Sequence, residues 1–287
     1  MRPTHLLLAL ALSLATLPSY AANLRFSLVK TSQTETLDAF TYEGGSWTDK
    51  VKVNHTAVLI QHHAATLLFD TGLGRQVDSQ FEEMPAWDKP LLQYGAVTPA
   101  RNRLDRDGIK VDRILLSHVH WDHASALADF PEVPVWAPYE DIEFSHISTP
   151  PAVLPSQFKH KVLWRPYVLE PEAFMGFSQS LDLFGDGSLV LVSLSGHTPG
   201  SVGLFLTLDD GRRFFFTGDA SWRLEGFTGP HEKFWFSRNM VDNDREKTAN
   251  VLQTVHDLVQ THPQLTIVPA HDAAVQDNLG YYPHWVQ

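Results

Sequence analysis

The sequence predicts a layered α/β sandwich. Short runs of β-branched and aliphatic residues recur along the whole chain, several of them end in a ligand-capable side chain, and amphipathic helical stretches lie between them. The first strand signals cover Leu24 to Val29, Val51 to Gln61 and Thr66 to Phe69. Thr98-Pro99 reads as an N-cap with proline in the first turn and Gly108 as the stop, giving a short helix before the strand Arg113 to Leu116. A second short helix is expected from His123 toward Asp129, and Pro134 to Ala137 reads as the next strand. Ser188 to Leu194, Ser201 to Leu208 and Arg213 to Thr217 form a meander in which Asp209-Asp210-Gly211 is the hairpin turn. Asn243-x-x-Glu246 is a capping box. It opens a helix whose apolar stripe, Val251, Leu252, Val255, Leu258 and Val259, should cover a second sheet. The 287 residues, 43% hydrophobic and 19% charged, suffice for one domain of two similar halves, expected over residues 22–287.

Residues 1–21 are expected to be a signal peptide. A short basic start precedes the apolar stretch Leu6 to Leu17, and Ser19-Tyr20-Ala21 offers small residues where a signal peptidase cuts. The stretch is too short for a stable transmembrane helix, and no later segment reaches the roughly 18 apolar residues that spanning requires. The absence of cysteine agrees with export, because nothing in the chain misoxidises. The expected location is therefore periplasmic or secreted. The formal net charge of −11, one unit more negative without Arg2, repels phosphate backbones and anionic lipid, and no run of Lys and Arg exceeds Arg212-Arg213. A small-molecule substrate is expected rather than nucleic acid or membrane.

The segment His118-Val119-His120-Trp121-Asp122-His123 places three imidazoles and a carboxylate in six residues, directly after an apolar run. In extended chain residues two apart share a side, so His118 and His120 can converge on one metal ion while Asp122 and His123, where the chain turns, face a second. Nitrogen and hard oxygen donors without thiolate suit zinc and its neighbours. Three further apolar runs end in His197, Asp219 and His271. These motifs, in this order, resemble those of the metallo-β-lactamase superfamily, from about Leu24 to His271.

The resemblance implies a four-layer αββα sandwich and two divalent metal ions, zinc being expected. It implies His118, His120 and His197 on one metal, Asp122, His123 and His271 on the other, and Asp219 bridging them. Asp70, at the end of Thr66 to Gly72, matches the family's early aspartate, read here as orienting a ligand rather than touching metal. The implied reaction is hydrolysis of an ester, lactone or phosphotriester by a hydroxide shared between the metals. Asp122 would be the catalytic carboxylate that passes a proton to the departing atom. The alternatives are β-lactamase-type amide hydrolysis, which the bridging Asp219 disfavours, and a non-heme iron oxidoreductase, which the full ligand set disfavours. The superfamily's acyl-homoserine lactonases carry tyrosine three residues after the bridging aspartate, where this chain has Trp222. Trp222 is expected as an apolar pocket wall, and the stretch between Gly74 and Pro99, with Phe81, Trp87 and Tyr94, as a loop over the site.

Overall fold

The computed structural model describes residues 24–63 and 65–287, so the expected leader over residues 1–21 lies outside the described residues. Six strands, β1 (Leu24–Leu37), β2 (Lys50–His62), β3 (Ala65–Phe69), β4 (Arg113–Leu115), β5 (Pro134–Pro138) and β6 (Leu163–Tyr167), form one sheet in sequence order. Five more, β7 (Ser180–Asp182), β8 (Leu189–Ser193), β9 (Val202–Thr207), β10 (Arg213–Phe216) and β11 (Leu265–Val268), form the second, in the order β11-β10-β9-β8-β7. The first sheet is antiparallel through β1, β2 and β3 and parallel from β3 to β6; in the second, only β10 and β11 run parallel.

Alternation along the strands sorts their side chains into layers, because successive residues point to opposite faces. Leu67, Phe69, Leu115, Leu189, Leu191, Leu204, Leu206, Phe214 and Phe216 meet between the two sheets. Their out-of-phase neighbours Leu68 and Ile114 pack outward with Ala100, Leu104 and Ile142. On the far side Val190, Val192, Phe205 and Phe215 pack against Val251, Leu252, Val255 and Leu258. Helices α1 (Val77–Phe81), α2 (Ala100–Arg106), α3 (Trp121–Ala124) and α4 (Tyr139–Ile147) precede the second sheet, and α5 (Glu225–Thr228), α6 (Trp235–Val241), α7 (Arg245–Thr261) and α8 (Ala273–Leu279) follow β10. With α2 and α4 outside one sheet and α7 outside the other, the layers are αββα. No helix among the described residues is long and apolar enough to cross a membrane.

Several boundaries depart from the sequence expectation for identifiable reasons. Strand β1 continues past Val29 to Leu37 through a bulge between Lys30 and Ser32, because the polar residues that follow include the strand formers Thr31, Thr34 and Thr36. The bulge frees the Thr31 hydroxyl to donate to the His55 carbonyl and to accept from the Leu73 amide. Thr98 does not cap α2: its amide donates to the Thr31 carbonyl and the helix starts at Ala100. Gly108 does end it, at φ 69°, with Gly108 N–H bonded to the Asp105 carbonyl and Ile109 N–H to that of Leu104. The cap of α7 is Asp244 rather than Asn243, its carboxylate accepting from the Lys247 amide at 3.1 Å, while the Asn243 amide donates to the His197 carbonyl. Strand β6 escaped the sequence reading because Pro166 interrupts it; as the outer strand of its sheet it accommodates a proline within the run.

Phe205 and Phe215 lie face to face, centroids 3.9 Å apart, beneath α7. Phe205→Ala should therefore lower the unfolding free energy by about 3–5 kcal/mol. Urea titration followed by circular dichroism would measure it, and a loss below about 1 kcal/mol would mean the site collapses around the gap.

Candidate metal centre

Five strands that end at one edge of the sandwich deliver side chains there. Asp70 follows β3, His118 to His123 follow β4, His197 follows β8, Asp219 follows β10 and His271 follows β11. The structure brings all seven residues singled out from the sequence together around the Asp219 carboxylate. His123 Nε2 and His271 Nε2 are each 3.1 Å from Asp219 Oδ1, and His197 Nε2 and His118 Nε2 are 3.6 and 4.0 Å from Oδ2. The His120 ring lies 4.4 Å from that of His197, and Asp122 Oδ2 is 3.3 Å from His271 Nε2.

The Nδ1 atoms show why the other ring nitrogens face inward. His123 Nδ1 meets Asp70 at 2.8 Å, His197 Nδ1 meets Asp242 at 2.6 Å, and His271 Nδ1 donates to the Asn54 carbonyl at 2.7 Å. The Ser117 hydroxyl donates to Asp70 at 2.7 Å, so toward His118 Nδ1, 2.9 Å away, it is left to accept. These partners occupy the Nδ1 atoms and turn Nε2 of each ring to the centre. Asp70 does this from a strained backbone, φ 61°, which points its carboxylate back at Ser117 and His123.

Nε2 of His118, His120, His123 and His197 and Oδ1 of Asp219 are buried without hydrogen-bond partners. Leaving so many polar atoms unpaired costs about 1–3 kcal/mol each unless another group satisfies them. Three sets here, His118/His120/His197, His118/His123/Asp219 and His55/Asp122/His271, each have donor atoms within 4.8 Å of one another, so the residues fit a pair of divalent cations. Electrostatics agree. Burial, reinforced by neighbouring imidazoles, holds His118 and His120 well below the usual histidine range and so keeps them neutral. Burial opposes charge at His123 and His271 too, but the Asp219 carboxylate outweighs it and raises both. Protons there compensate buried carboxylates, and a bound dication would displace them.

Four contributors were not found in the sequence. Asp242, with the buried Lys233 at 2.8 Å, supports His197 from a turn that carries no motif. Asn54 acts only through its backbone carbonyl. His55, on β2, has Nε2 3.8 Å from Asp122 Oδ2 and its ring 5.5 Å from that of His271; its one signal was a histidine in phase with Val53 and Ala57 on an apolar strand.

A mainly apolar cleft opens beside the cluster, lined by Phe40, Val53, Leu91, Trp121, Trp222 and Met240 together with Asp122 and His271. Leu91 and Leu92 come from the 74–99 stretch, which thus covers part of the site. Trp222 lines the cleft as expected. Its indole N–H, however, is engaged, donating to Asp219 Oδ2 at 2.9 Å.

The family model of the metallo-β-lactamase superfamily matches residues 51–271. The chain belongs to that superfamily. The N-acyl homoserine lactonase AttM of Rhizobium radiobacter is 25% identical over 183 residues, which is 62% of this chain and only 65% of that protein's length. A B. thuringiensis AiiA variant with N-decanoyl-L-homoserine bound superposes with a TM-score of 0.72 at 16% identity, covering 91% of this chain and 98% of that one. AidC, a dizinc quorum-quenching lactonase in complex with a product, does so with a TM-score of 0.60 at 14% identity, covering 88% of each.

Asp141, on α4, ties the ligand loops together: its carboxylate accepts from the Gly200 amide at 2.9 Å and is bonded by Thr198 and Val119. Burial raises its carboxyl to about 6. Because the folded value exceeds the unfolded one, its contribution is full below about pH 4 and lost as pH rises through 6, amounting to about 3 kcal/mol. Asp141→Asn should remove that slope, so the gap between variant and wild type in urea unfolding should shift in the variant's favour from pH 4 to pH 8. A constant gap would contradict it.

Proposed function

We propose that the protein opens the ring of a lactone bearing an apolar substituent, using two zinc ions. His118, His120 and His197 would hold one, Asp122, His123 and His271 the other, with Asp219 shared between them. The observation that carries this reading is the set of unpaired Nε2 atoms around Asp219 beside an apolar cleft. The lactonase relative supports the substrate class. The composition and charge of the first 21 residues and of the rest support work outside the cytosol, after cleavage at Ala21, as one domain over residues 22–287.

Zinc bound here supplies Lewis acidity and lowers the pKa of water toward neutrality, which makes hydroxide available at pH 7. Asp122 takes the proton of the attacking water on its free oxygen and returns it to the leaving alkoxide when the ring opens. His55 stands beside this carboxylate, its Nε2 3.8 Å from Asp122 Oδ2. Trp222, its N–H engaged by Asp219, offers the substrate a ring face rather than a hydrogen bond. Leu91, Phe40 and Met240 exclude water from the substituent.

Assay of the zinc-loaded protein against lactones of graded chain length, aryl esters and phosphotriesters tests the reading. Lactones should be turned over fastest and improve with chain length; no lactone hydrolysis, or faster phosphotriester cleavage, would overturn it. Asp122→Asn should lower kcat by roughly a hundredfold or more with KM little changed, since an amide neither accepts nor returns the proton; an unchanged kcat would remove Asp122 from proton transfer. Trp222→Tyr should shift the ranking toward small lactones by about 1–3 kcal/mol, read from kcat/KM ratios, and an untouched ranking would sink the ring-face role.

A further inference from the structure

At the opposite end of the sandwich the β2–β3 hairpin of one sheet meets the β7–β8 turn of the other, and three more donor side chains converge there. His62 closes β2, His63 forms the turn at φ 46°, and Asp186 lies in the facing turn. His62 Nε2 is 3.0 Å and His63 Nε2 3.8 Å from the same oxygen, Asp186 Oδ2. All three donor atoms lie within 4.8 Å of one another. A tetrahedral ion with ligands at about 2.0–2.1 Å separates its donors by roughly 3.3 Å, so this spacing accepts one with little movement. The dinuclear cluster is far off: the strand from His55 to His62 spans roughly 23 Å.

The donors are held in place before any ion arrives. Asp186 Oδ1 is taken by the Ser188 amide at 3.0 Å and hydroxyl at 2.5 Å, which turns Oδ2 to the histidines. Burial works against its charge, but the Ser188 bonds and His62 hold the carboxyl down at about 2, so it is an anion at every pH of interest. Asp182 fixes the turn by accepting from the amides of Phe184, Gly185 and Gly187. The buried His62 ring stacks on Phe184 at 3.8 Å and 19°, which sets its plane. An ion pair between His62 and Asp186 would need only one imidazole; the second, its ring 4.1 Å from the first, adds a competing donor to the same oxygen. Two imidazoles and a carboxylate facing one point are the ligands that zinc, copper(II) and nickel(II) favour. The open recess around them, which also includes Gly187 and Ser188, leaves room for water to complete the coordination.

We infer that His62, His63 and Asp186 form a further divalent transition-metal site that clips the two sheets together at the end remote from the dinuclear centre. The ion is bound in the folded chain alone, since the donors come from turns of different sheets, so its binding free energy adds to stability. It takes no part in turnover.

Equilibrium dialysis of the full chain against buffered low-micromolar zinc, with metal analysis, tests the site by difference. His63→Ala and Asp186→Asn, both at exposed side chains, should each hold one zinc per chain fewer than wild type and keep wild-type hydrolytic activity. Wild type should gain a few degrees in Tm between chelated and zinc-saturated states beyond the gain of either variant. Equal zinc content in wild type and variants, whatever its absolute number, would overturn the site, as would equal zinc-dependent Tm gains. Loss of activity in step with the missing ion would show that it belongs to the reaction and overturn the purely structural role. The absolute count in the variants reports separately on the dinuclear centre, so the two readings fail independently.

Discussion

The structure is organised around a desolvation problem. Five imidazoles and two carboxylates are gathered at one edge of the sandwich, mostly out of reach of water. Such a cluster is unfavourable as a set of isolated polar groups, and becomes favourable when each donor serves a second partner. The fold supplies those partners on the outer side of each ring and leaves the inner side to the metals. Asp70, Asp242 and the Asn54 carbonyl occupy the outer ring nitrogens, so the ligand field is set before metal arrives. Two sheets lying face to face provide this because their strands end at a common edge: β3 and β4 contribute from one side, β8, β10 and β11 from the other.

That arrangement also separates stability from chemistry. The layers between and outside the sheets are filled by aliphatic and aromatic side chains, and the polar cluster sits at their edge. The loops at the edge carry the polar groups and are tied to one another by single residues such as Asp141. The Trp222 bond to Asp219 places an aromatic wall and a metal-facing carboxylate in one rigid unit, so the shape of the cleft and the electronic character of the centre cannot change independently.

What was legible in the sequence was whatever is encoded by neighbours along the chain. Strand period two, the turn at Asp209-Asp210-Gly211 and the crowding of His118 to His123 are local, and each reappears in place. Residues that act from a distance left no such mark. Asp242 lies 45 positions from the histidine it supports, and His55 reaches Asp122 only because β2 pairs beside β3. The helix starts were misplaced by a residue or two where tertiary bonds claimed the expected caps, as at Thr98 and Asn243. The long polar half of β1 was hidden because threonine is both a turn residue and a strand former, and only its pairing with β2 decides between them.

The outer strands have a consequence for how the protein behaves in a crowded solution. An open sheet edge is a template on which another chain can add a strand. Here β6 exposes Arg165 and Pro166, a charge and a residue without a donor, and β7 is only three residues long. On β1 the amide and carbonyl of Phe26 are already taken by Val286, and the carbonyl of Leu28 by Tyr282. Three of the four outer strands therefore end in groups that refuse further pairing, and the exposed aromatic residues, Trp47, Trp87, Tyr139 and Trp235, lie outside the sheets on loops, α4 and α6. Association through those rings would pack side chains face to face and leave both sheets unextended, so crowding would not by that route convert the fold into cross-β polymer.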